Sequence, residues 1–534
     1  MSRAQSFEAQ DRGTPLVAAR PSVGVAAQTT SCALAQSPLT WLLLAIAVLY
    51  ATTLFPGVGG RINGGDSAKF QFIGLIGGIG HPPGSPLYMM LNALWVRLPL
   101  PCSPALRVTL LSLLLGLLAL LVLARALSRS FGVRAAVCGV IALALGPLYW
   151  TLATEAELYT LSATIVAGSC AAALCFDRTG DSRALFACAA LALLGCANHL
   201  TSVMLLPAAA YLIWSARHLP GRLSARQLLG LVSVGLLSIA SYAYMPLRAQ
   251  QALVYSEWIE RPELRSFWRY VTASRFHDGL QRLTAENLML ARLPAFASEL
   301  QKQWAWPVLL LLPFGFVRLR ERAPRAARFV ELSLVGLLVF ALVYKIPDPA
   351  GFFIPIVTLL AVPLALACTA PQRTWNVRVI VVAACLAIGA WQHVAKARRL
   401  IGNELVYSLG NHKFVAWDLD DVFQRIPEGA FFAQPCEAYG CVELINYFRF
   451  ADQGATRRNI QFVQLPAMRS DYYAFAPMKE LSWNAGKHAV ICTLREADAK
   501  RLREHGARIR TIDRQARDLA GREYPGVPIH CTRP

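Results

Sequence analysis

Eleven apolar runs between residues 38 and 394, most of them near twenty residues long and almost free of charge, constrain this chain more than any other feature. A bilayer core of roughly 30 Å takes about twenty apolar residues per helix, and the runs fall near 38–56, 105–125, 135–150, 158–176, 184–199, 201–215, 227–246, 304–318, 329–346, 352–369 and 377–394. Several are short, and counts from ten to twelve fit the same pattern. Across all 534 residues, 55% are hydrophobic and only 16% charged, against about 25% charged in a soluble domain. That excludes an ordinary soluble enzyme, a disordered scaffold and a disulfide-stapled secreted domain. The expected fold is an α-helical multi-pass membrane protein with about eleven transmembrane helices. No repeat period is visible, which argues against a transporter built from inverted repeats.

Residues 1–37, rich in Ala, Gln, Ser and Thr, read as a disordered tail. No apolar stretch precedes residue 38, so the first run is a span and not a cleaved leader. Short loops on the side of the N-terminus hold eighteen arginines, whereas those on the other side hold five basic residues, Arg61, Lys69, Arg97, Arg107 and Lys345. Adding the long loop 247–303 makes the comparison eighteen to thirteen and keeps its sign. The positive-inside bias places the N-terminus in the cytoplasm and the loops 57–104 and 247–303 outside. The same bias accounts for the net charge of +20 without nucleic acid. An odd number of spans puts the tail 395–534 outside too. Its strand-like runs 430–434, 459–464 and 489–493 alternate with helix-like runs 441–450 and 496–505, which predicts a small soluble α/β domain. Cys436, Cys441, Cys492 and Cys531 lie in that domain, either as disulfides or as free thiols. No Asn-x-Ser/Thr sequon occurs, which favours a bacterial inner membrane over a eukaryotic secretory one, with the tail in the periplasm.

The polar constellations all map to the outer side. Gly64-Gly65-Asp66-Ser67-Ala68-Lys69 opens an amphipathic helix of about 67–78, and Gly80-His81-Pro82-Pro83-Gly84-Ser85-Pro86 leads into another of about 86–98. Asp66 fits a helix N-cap or a catalytic carboxylate; His81 fits a turn or a site. Thr154-Glu155-Ala156-Glu157-Leu158-Tyr159 puts two carboxylates at a membrane boundary, a costly place unless they are hydrated or functional. If helical, only one of the two can face a given cleft. Asn198-His199-Leu200-Thr201 sits in a turn. Tyr244-Met245-Pro246-Leu247-Arg248 ends a span, where the Arg either snorkels or holds a phosphate. Lys345-Ile346-Pro347-Asp348 precedes Phe352-Phe353-Ile354-Pro355, and an interfacial reading serves it equally. No dinucleotide fingerprint, Walker loop or HExxH occurs. Ionisable groups that crowd one rim, with none at the midplane, suit an enzyme acting on a lipid-anchored substrate at the outer surface.

The ordered series GDS, HPPGSPLY, EAELYTL, NHLT and YMPLRA, with Trp258, Phe267-Trp268-Arg269-Tyr270 and IPD…FFIP after it, resembles the multi-pass membrane family that includes the transmembrane protein O-mannosyltransferases. Those enzymes are similar to GT-C glycosyltransferases. The likeness runs from about residue 38 to 370 and weakly to 465. It implies a GT-C-like domain over 38–394, a polyprenyl-phosphate sugar as donor, and an active site on the outer face. By position the catalytic base is Asp66, with Glu155 or Glu157 lining the same cleft. The chain departs from the family at Pro435-Cys436-Glu437-Ala438, where members carry a Gly- and Asp-rich turn. That departure concerns the tail's role toward the acceptor.

These parts imply a mechanism. An acceptor hydroxyl needs a base as it attacks the anomeric carbon, and the leaving phosphate needs cations or hydrogen-bond donors. Arg248 and His199 are the candidates, backed by Lys69 and Lys345; His81, Tyr159 and Asp348 complete the expected donor-binding set. A single displacement inverts the anomeric configuration. The acceptor is a protein Ser or Thr, a lipid or a cell-wall glycan; a flippase for lipid-linked sugars is the non-catalytic alternative. No ligand set decides for or against a divalent metal.

Overall fold

A computed structural model describes residues 38–533 apart from 56, 62–63, 252–254, 259–262, 283, 346–348, 370–371, 400–406, 410–411, 415–417, 434–438, 452–457, 466–478, 518–522 and 526. The N-terminal tail 1–37, Asp348, Cys436 and the Pro435–Ala438 departure lie outside the described residues.

Each expected apolar run is helical. After α1 (Pro38–Ala51) the chain forms two short helices, α2 (Gly64–Ile76) and α3 (Pro86–Trp95). The long α4 (Pro104–Phe131) follows; Ser103 caps it by accepting the Leu106 N–H at 3.2 Å, with Pro104 at its first position, where a missing N–H costs nothing. Then come α5 (Val133–Ala144), α6 (Pro147–Ala153), α7 (Tyr159–Thr179), α8 (Ser182–Cys196), α9 (Leu206–Ala216) and α10 (Ala225–Ala240). Among the described residues, five helices are long and apolar enough to cross a membrane alone, and α5 with α6 makes a sixth if that pair, bent by 73°, is one span. Pro38–Ala51, Ser182–Cys196, Leu200–Ala216 and Val382–Ala395 are shorter apolar helices. The 135–150 run is therefore not straight. Its bend at Gly146-Pro147 frees backbone groups, and Gln303 satisfies them: Tyr149 N–H donates to its Oε1 and its Nε2 donates to the Leu143 carbonyl, both at 3.0 Å. A Cβ on Gly146 would sit 2.0 Å from that amide. The helix Phe353–Ala367 is buried along its whole length and forms the hub of the bundle.

The tail carries a six-stranded mixed sheet. Strands β1 (Tyr407–Leu409) and β2 (His412–Phe414) form a separate ribbon, as do β8 (Gln515–Arg517) and β9 (Glu523–Pro525). The main sheet runs in the order β5 (Lys479–Glu480), β4 (Gln461–Gln464), β3 (Phe431–Ala433), β6 (Ile491–Thr493), β10 (Ile529–Arg533), β7 (Arg508–Ile512). Its first four strands are parallel and β10 is antiparallel to both neighbours. Cys492 and Cys531 face each other across β6 and β10 and are joined as a disulfide.

The tail is not a free-standing lobe. One continuous apolar cluster takes in Val58, Phe72, Tyr88 and Val108 from the 57–104 loop and α4, and Leu444, Ile445, Phe448 and Phe432 from the tail. The helix Tyr439–Phe450 packs along α2, with Phe450 on Phe72 (ring centroids 5.5 Å) and the Ala105 N–H donating to the Tyr447 hydroxyl at 3.3 Å.

Candidate active site

Helix α2 is the scaffold of the site. Ala68, Phe70, Phe72 and Ile73 are buried against α4 and the tail helix, which fixes the direction in which the first turn points. Asp66 lies in that first turn rather than at an N-cap, a position the helix dipole favours for an anion. Its Oδ1 is 2.5 Å from Lys69 Nζ and its Oδ2 is 3.6 Å from His81 Nε2. Burial pushes the Asp66 carboxyl up, but the adjacent Lys69 and His81 outweigh it and hold the group well below its ordinary value. Its side chain is still 17% exposed and that of His81 26%, whereas Lys69 is fully buried. Asp66 and His81 thus form the open edge of a cluster whose cation is inside.

Lys69 continues the cluster inward. Its Nζ is 3.1 Å from Glu257 Oε1. The Tyr255 hydroxyl reaches Glu257 Oε1 at 3.1 Å and Glu443 Oε1 at 2.7 Å, and Asn446 Nδ2 donates to Glu443 Oε2 at 3.4 Å. Glu443 belongs to the tail helix, so the soluble domain contributes a fully buried carboxyl to the membrane domain's ion cluster. Burial, with the charge of Glu257 behind it, pushes Glu443 up to about 8, so it is protonated at neutral pH. Lys69 is the reverse case. Burial pulls it down, yet Asp66, Glu257 and Glu443 together raise it above its ordinary value.

The two glutamates of the 154–158 stretch both face this region. Residues 154–158 are a non-helical break between α6 and α7, so the helical rule that would have sent one of them away does not apply. Both are buried and not solvated at the interface. Glu157 Oε1 accepts from Ser67 Oγ at 3.2 Å, next in sequence to Asp66, and Ser112 Oγ bridges its backbone. Glu155 pairs with Arg61 at 3.6 Å, and Arg61 also donates to the Thr53 carbonyl at 2.6 Å.

Two other expected segments meet the same loop. Leu87 N–H donates to the Ala197 carbonyl at 3.0 Å, docking the His81–Pro86 turn on the 197–201 turn. There the His199 ring lies 5.5 Å from Tyr159 and 5.3 Å from Phe352, with Nδ1 on Thr201 Oγ1 at 2.8 Å. Lys345 is exposed and follows Tyr344 of the same aromatic wall. Arg248 is differently employed from the expectation. Its Nε donates to the Gly77 carbonyl at 2.7 Å and Nη2 to the Ile76 carbonyl at 3.2 Å, so it closes the orphan carbonyls at the end of α2. A Cβ on Gly77, whose φ is +59°, would meet that guanidinium at 2.5 Å.

Tyr255, Glu257, Glu443 and Arg61 were not singled out from the sequence. A lone acid within an apolar helical run marked Glu443, and Glu257 adjoins Trp258, but neither signal names a partner 188 residues away along the chain. Among the described residues no group of three His, Cys, Asp or Glu side chains is placed to hold a metal ion.

Comparison with known proteins fits this arrangement. Residues 66–220, beginning at Asp66 itself, match the model of the protein O-mannosyl-transferase TMEM260 N-terminal domain. No curated protein matches the chain. Among solved structures, ArnT from Cupriavidus metallidurans in the apo state superposes with a TM-score of 0.59 at 15% identity, over 92% of this chain and 97% of that one. The same enzyme bound to undecaprenyl phosphate gives 0.59 at 16%, over 93% and 98%. The Archaeoglobus fulgidus oligosaccharyltransferase in the apo form gives 0.42 at 11%, over 92% and 74%. The chain thus shares the fold of ArnT over nearly its whole length, and its residues 66–220 are similar to an O-mannosyl-transferase N-terminal domain.

Proposed function

We propose that this chain transfers a sugar from a polyprenyl-phosphate donor to the hydroxyl of a protein Ser or Thr on the outer face of the cytoplasmic membrane, with inversion. The observation that carries the reading is Asp66, a partly open carboxylate kept ionised by a buried lysine at the head of the matched domain. The fold shared with an ArnT structure that holds undecaprenyl phosphate supports the donor class.

In this reading the acceptor hydroxyl donates a hydrogen bond to Asp66 and its oxygen attacks the anomeric carbon. The bond from that carbon to the phosphate oxygen breaks, the lipid phosphate leaves on the opposite side of the sugar, and the hydroxyl proton passes to Asp66. A carboxylate of lowered basicity is a weak base toward an alcohol in its ground state. It serves once the anomeric bond has largely broken, because the attacking oxygen is then partly positive and its proton acidic. His199 with Lys345 on the aromatic wall are the donors left for the phosphate end, while His81, 3.6 Å from Asp66, stays on the side of the base. Arg248 acts on the site by holding α2. Tyr159 lines the sugar region, and the tail 395–534 grips the acceptor.

Mass spectrometry of envelope proteins and glycolipids from cells with and without the chain tests the reading. The expected result is a sugar mass on Ser or Thr peptides that disappears without the chain. An unchanged protein fraction with an altered glycolipid would move the acceptor to a glycan, and no change in either would sink the proposal. The orientation has its own test. Alkaline phosphatase joined after the helix Gln372–Arg399 should be active and a cytoplasm-only fluorescent reporter there dark, while a fusion at Gly221 should read cytoplasmic. A dark phosphatase and a bright reporter after Arg399, with the Gly221 fusion still cytoplasmic, would mean an even number of spans.

A further inference from the structure

A groove of about 770 Å³ runs between α1 and α4, away from the cluster around Asp66. Leu43, Leu117 and Leu121 line its apolar length, and Arg125, Ser128 and Arg129 close one end. Positions 125, 128 and 129 share one face of a helix by their spacing. Neither α1 nor α4 contains an acidic residue, and both arginines are exposed with no ion pair among the described residues. Twenty residues of α4 separate Arg125 from Ala105, which touches the tail domain beside the site. That is about 30 Å of helix, close to the thickness of a bilayer core. The groove therefore opens at the opposite membrane face and is not an extension of the donor cleft.

We infer that this groove is a binding site for an anionic glycerophospholipid, with one acyl chain along the leucines and the headgroup phosphate between Arg125 and Arg129. Charge complementarity selects the headgroup: two unpaired guanidiniums and a hydroxyl converge where the apolar lining stops, and a guanidinium pairs with a phosphate in two-pronged geometry. Length selects the tail. From Leu114 to Arg125 the apolar part spans about 16 Å, half of the roughly 30 Å core. That accommodates one leaflet's acyl chain, whereas a long polyprenyl chain would overrun it. The site is independent of the transferase chemistry and would hold whatever sugar or acceptor is used.

The test is lipid retention by the full-length protein. The chain is reconstituted in vesicles of equal parts phosphatidylglycerol and phosphatidylcholine with matched acyl chains, extracted, and its bound lipid quantified by mass spectrometry. Each arginine near an anionic headgroup favours it about five-fold, so retained phosphatidylglycerol should exceed phosphatidylcholine by roughly twenty-five-fold. Arg125→Gln/Arg129→Gln should abolish that preference, and Arg125→Lys/Arg129→Lys should keep most of it. Leu117→Trp/Leu121→Trp, which fills the groove and leaves the charges, should lower retention of both lipids; its thermal melt, expected unchanged, shows that the fold survives. Equal retention of the two lipids by the wild type, or an unchanged preference in the Gln pair, would overturn the inference. So would displacement of the lipid by inorganic phosphate alone, or preferential retention of polyprenyl phosphate from vesicles containing it.

Discussion

Asp66→Asn should lower turnover by roughly two orders of magnitude or more, the usual weight of a general base, while the protein still folds and still binds donor. Asparagine keeps the size and the hydrogen-bonding reach of the side chain but cannot take the acceptor's proton. It also leaves Lys69 with Glu257 as a partner at 3.1 Å, so the buried ammonium is not stranded. The pH profile offers a second reading of the same residue. Because the folded Asp66 carboxyl is depressed below its ordinary 3.8, its ionised form persists throughout the neutral range and is lost only as pH falls through that depressed value. The wild-type kcat/KM should accordingly show no Asp66 limb between about pH 4 and 7. A well-expressed Asp66→Asn protein with near-normal glycosylation would remove Asp66 from the chemistry.

The membrane domain and the tail domain were legible because their signals are local. Hydropathy over about twenty residues reports a span, and the alternation of strand-like and helix-like runs over 430–505 matches β3, β4, β6 and the helices Tyr439–Phe450 and Glu496–Glu504. Local signals also marked which loops carry ionisable groups. They did not show how a group is used. Arg248 looked like a phosphate ligand because an arginine at a helix exit has that option; only the folded chain shows the end of α2 lying against it. The rotation argument for Glu155 and Glu157 presumed a helix, and the backbone unwinds there instead, which lets both carboxylates turn toward the same loop. Glu443 was out of reach for a different reason. Its partners lie in the loop before the helix Leu264–Val271 and on α2, and no pattern along the sequence encodes contact between a membrane domain's loop and a helix nearly two hundred residues further on.

Lys69→Met should be the most damaging single change to the fold. Methionine fills the volume of a fully buried side chain but leaves Asp66 and Glu257 facing each other without a cation, and breaking a buried pair from one side costs about 3–5 kcal/mol. The expected result is a large fall in melting temperature of the detergent-solubilised protein together with loss of transfer. Adding Glu257→Gln should recover part of the stability, since the two residues touch and their effects are not additive. Glu443 supplies the control that separates this network from ordinary packing. A carboxyl whose folded value is raised contributes stability that is fully present below its ordinary 4.5 and is lost as pH rises toward about 8. Lys69, also raised, contributes stability below its ordinary 10.5 that is lost only as pH climbs through its higher folded value. The decline that Glu443 causes should therefore run between about pH 4.5 and 8. Glu443→Gln, neutral at every pH and still able to accept from Tyr255, should match the wild type near pH 5 and lose the decline from there to about pH 8. Glu443→Ala should fall below both, because it removes the shorter of the two hydrogen bonds of the Tyr255 hydroxyl and opens a cavity where the tail helix meets α2. If Lys69→Met melts and transfers like the wild type, or Glu443→Gln keeps the decline between about pH 4.5 and 8, then the carboxyl from the tail is only a packed side chain and the two domains are joined by their apolar contact alone.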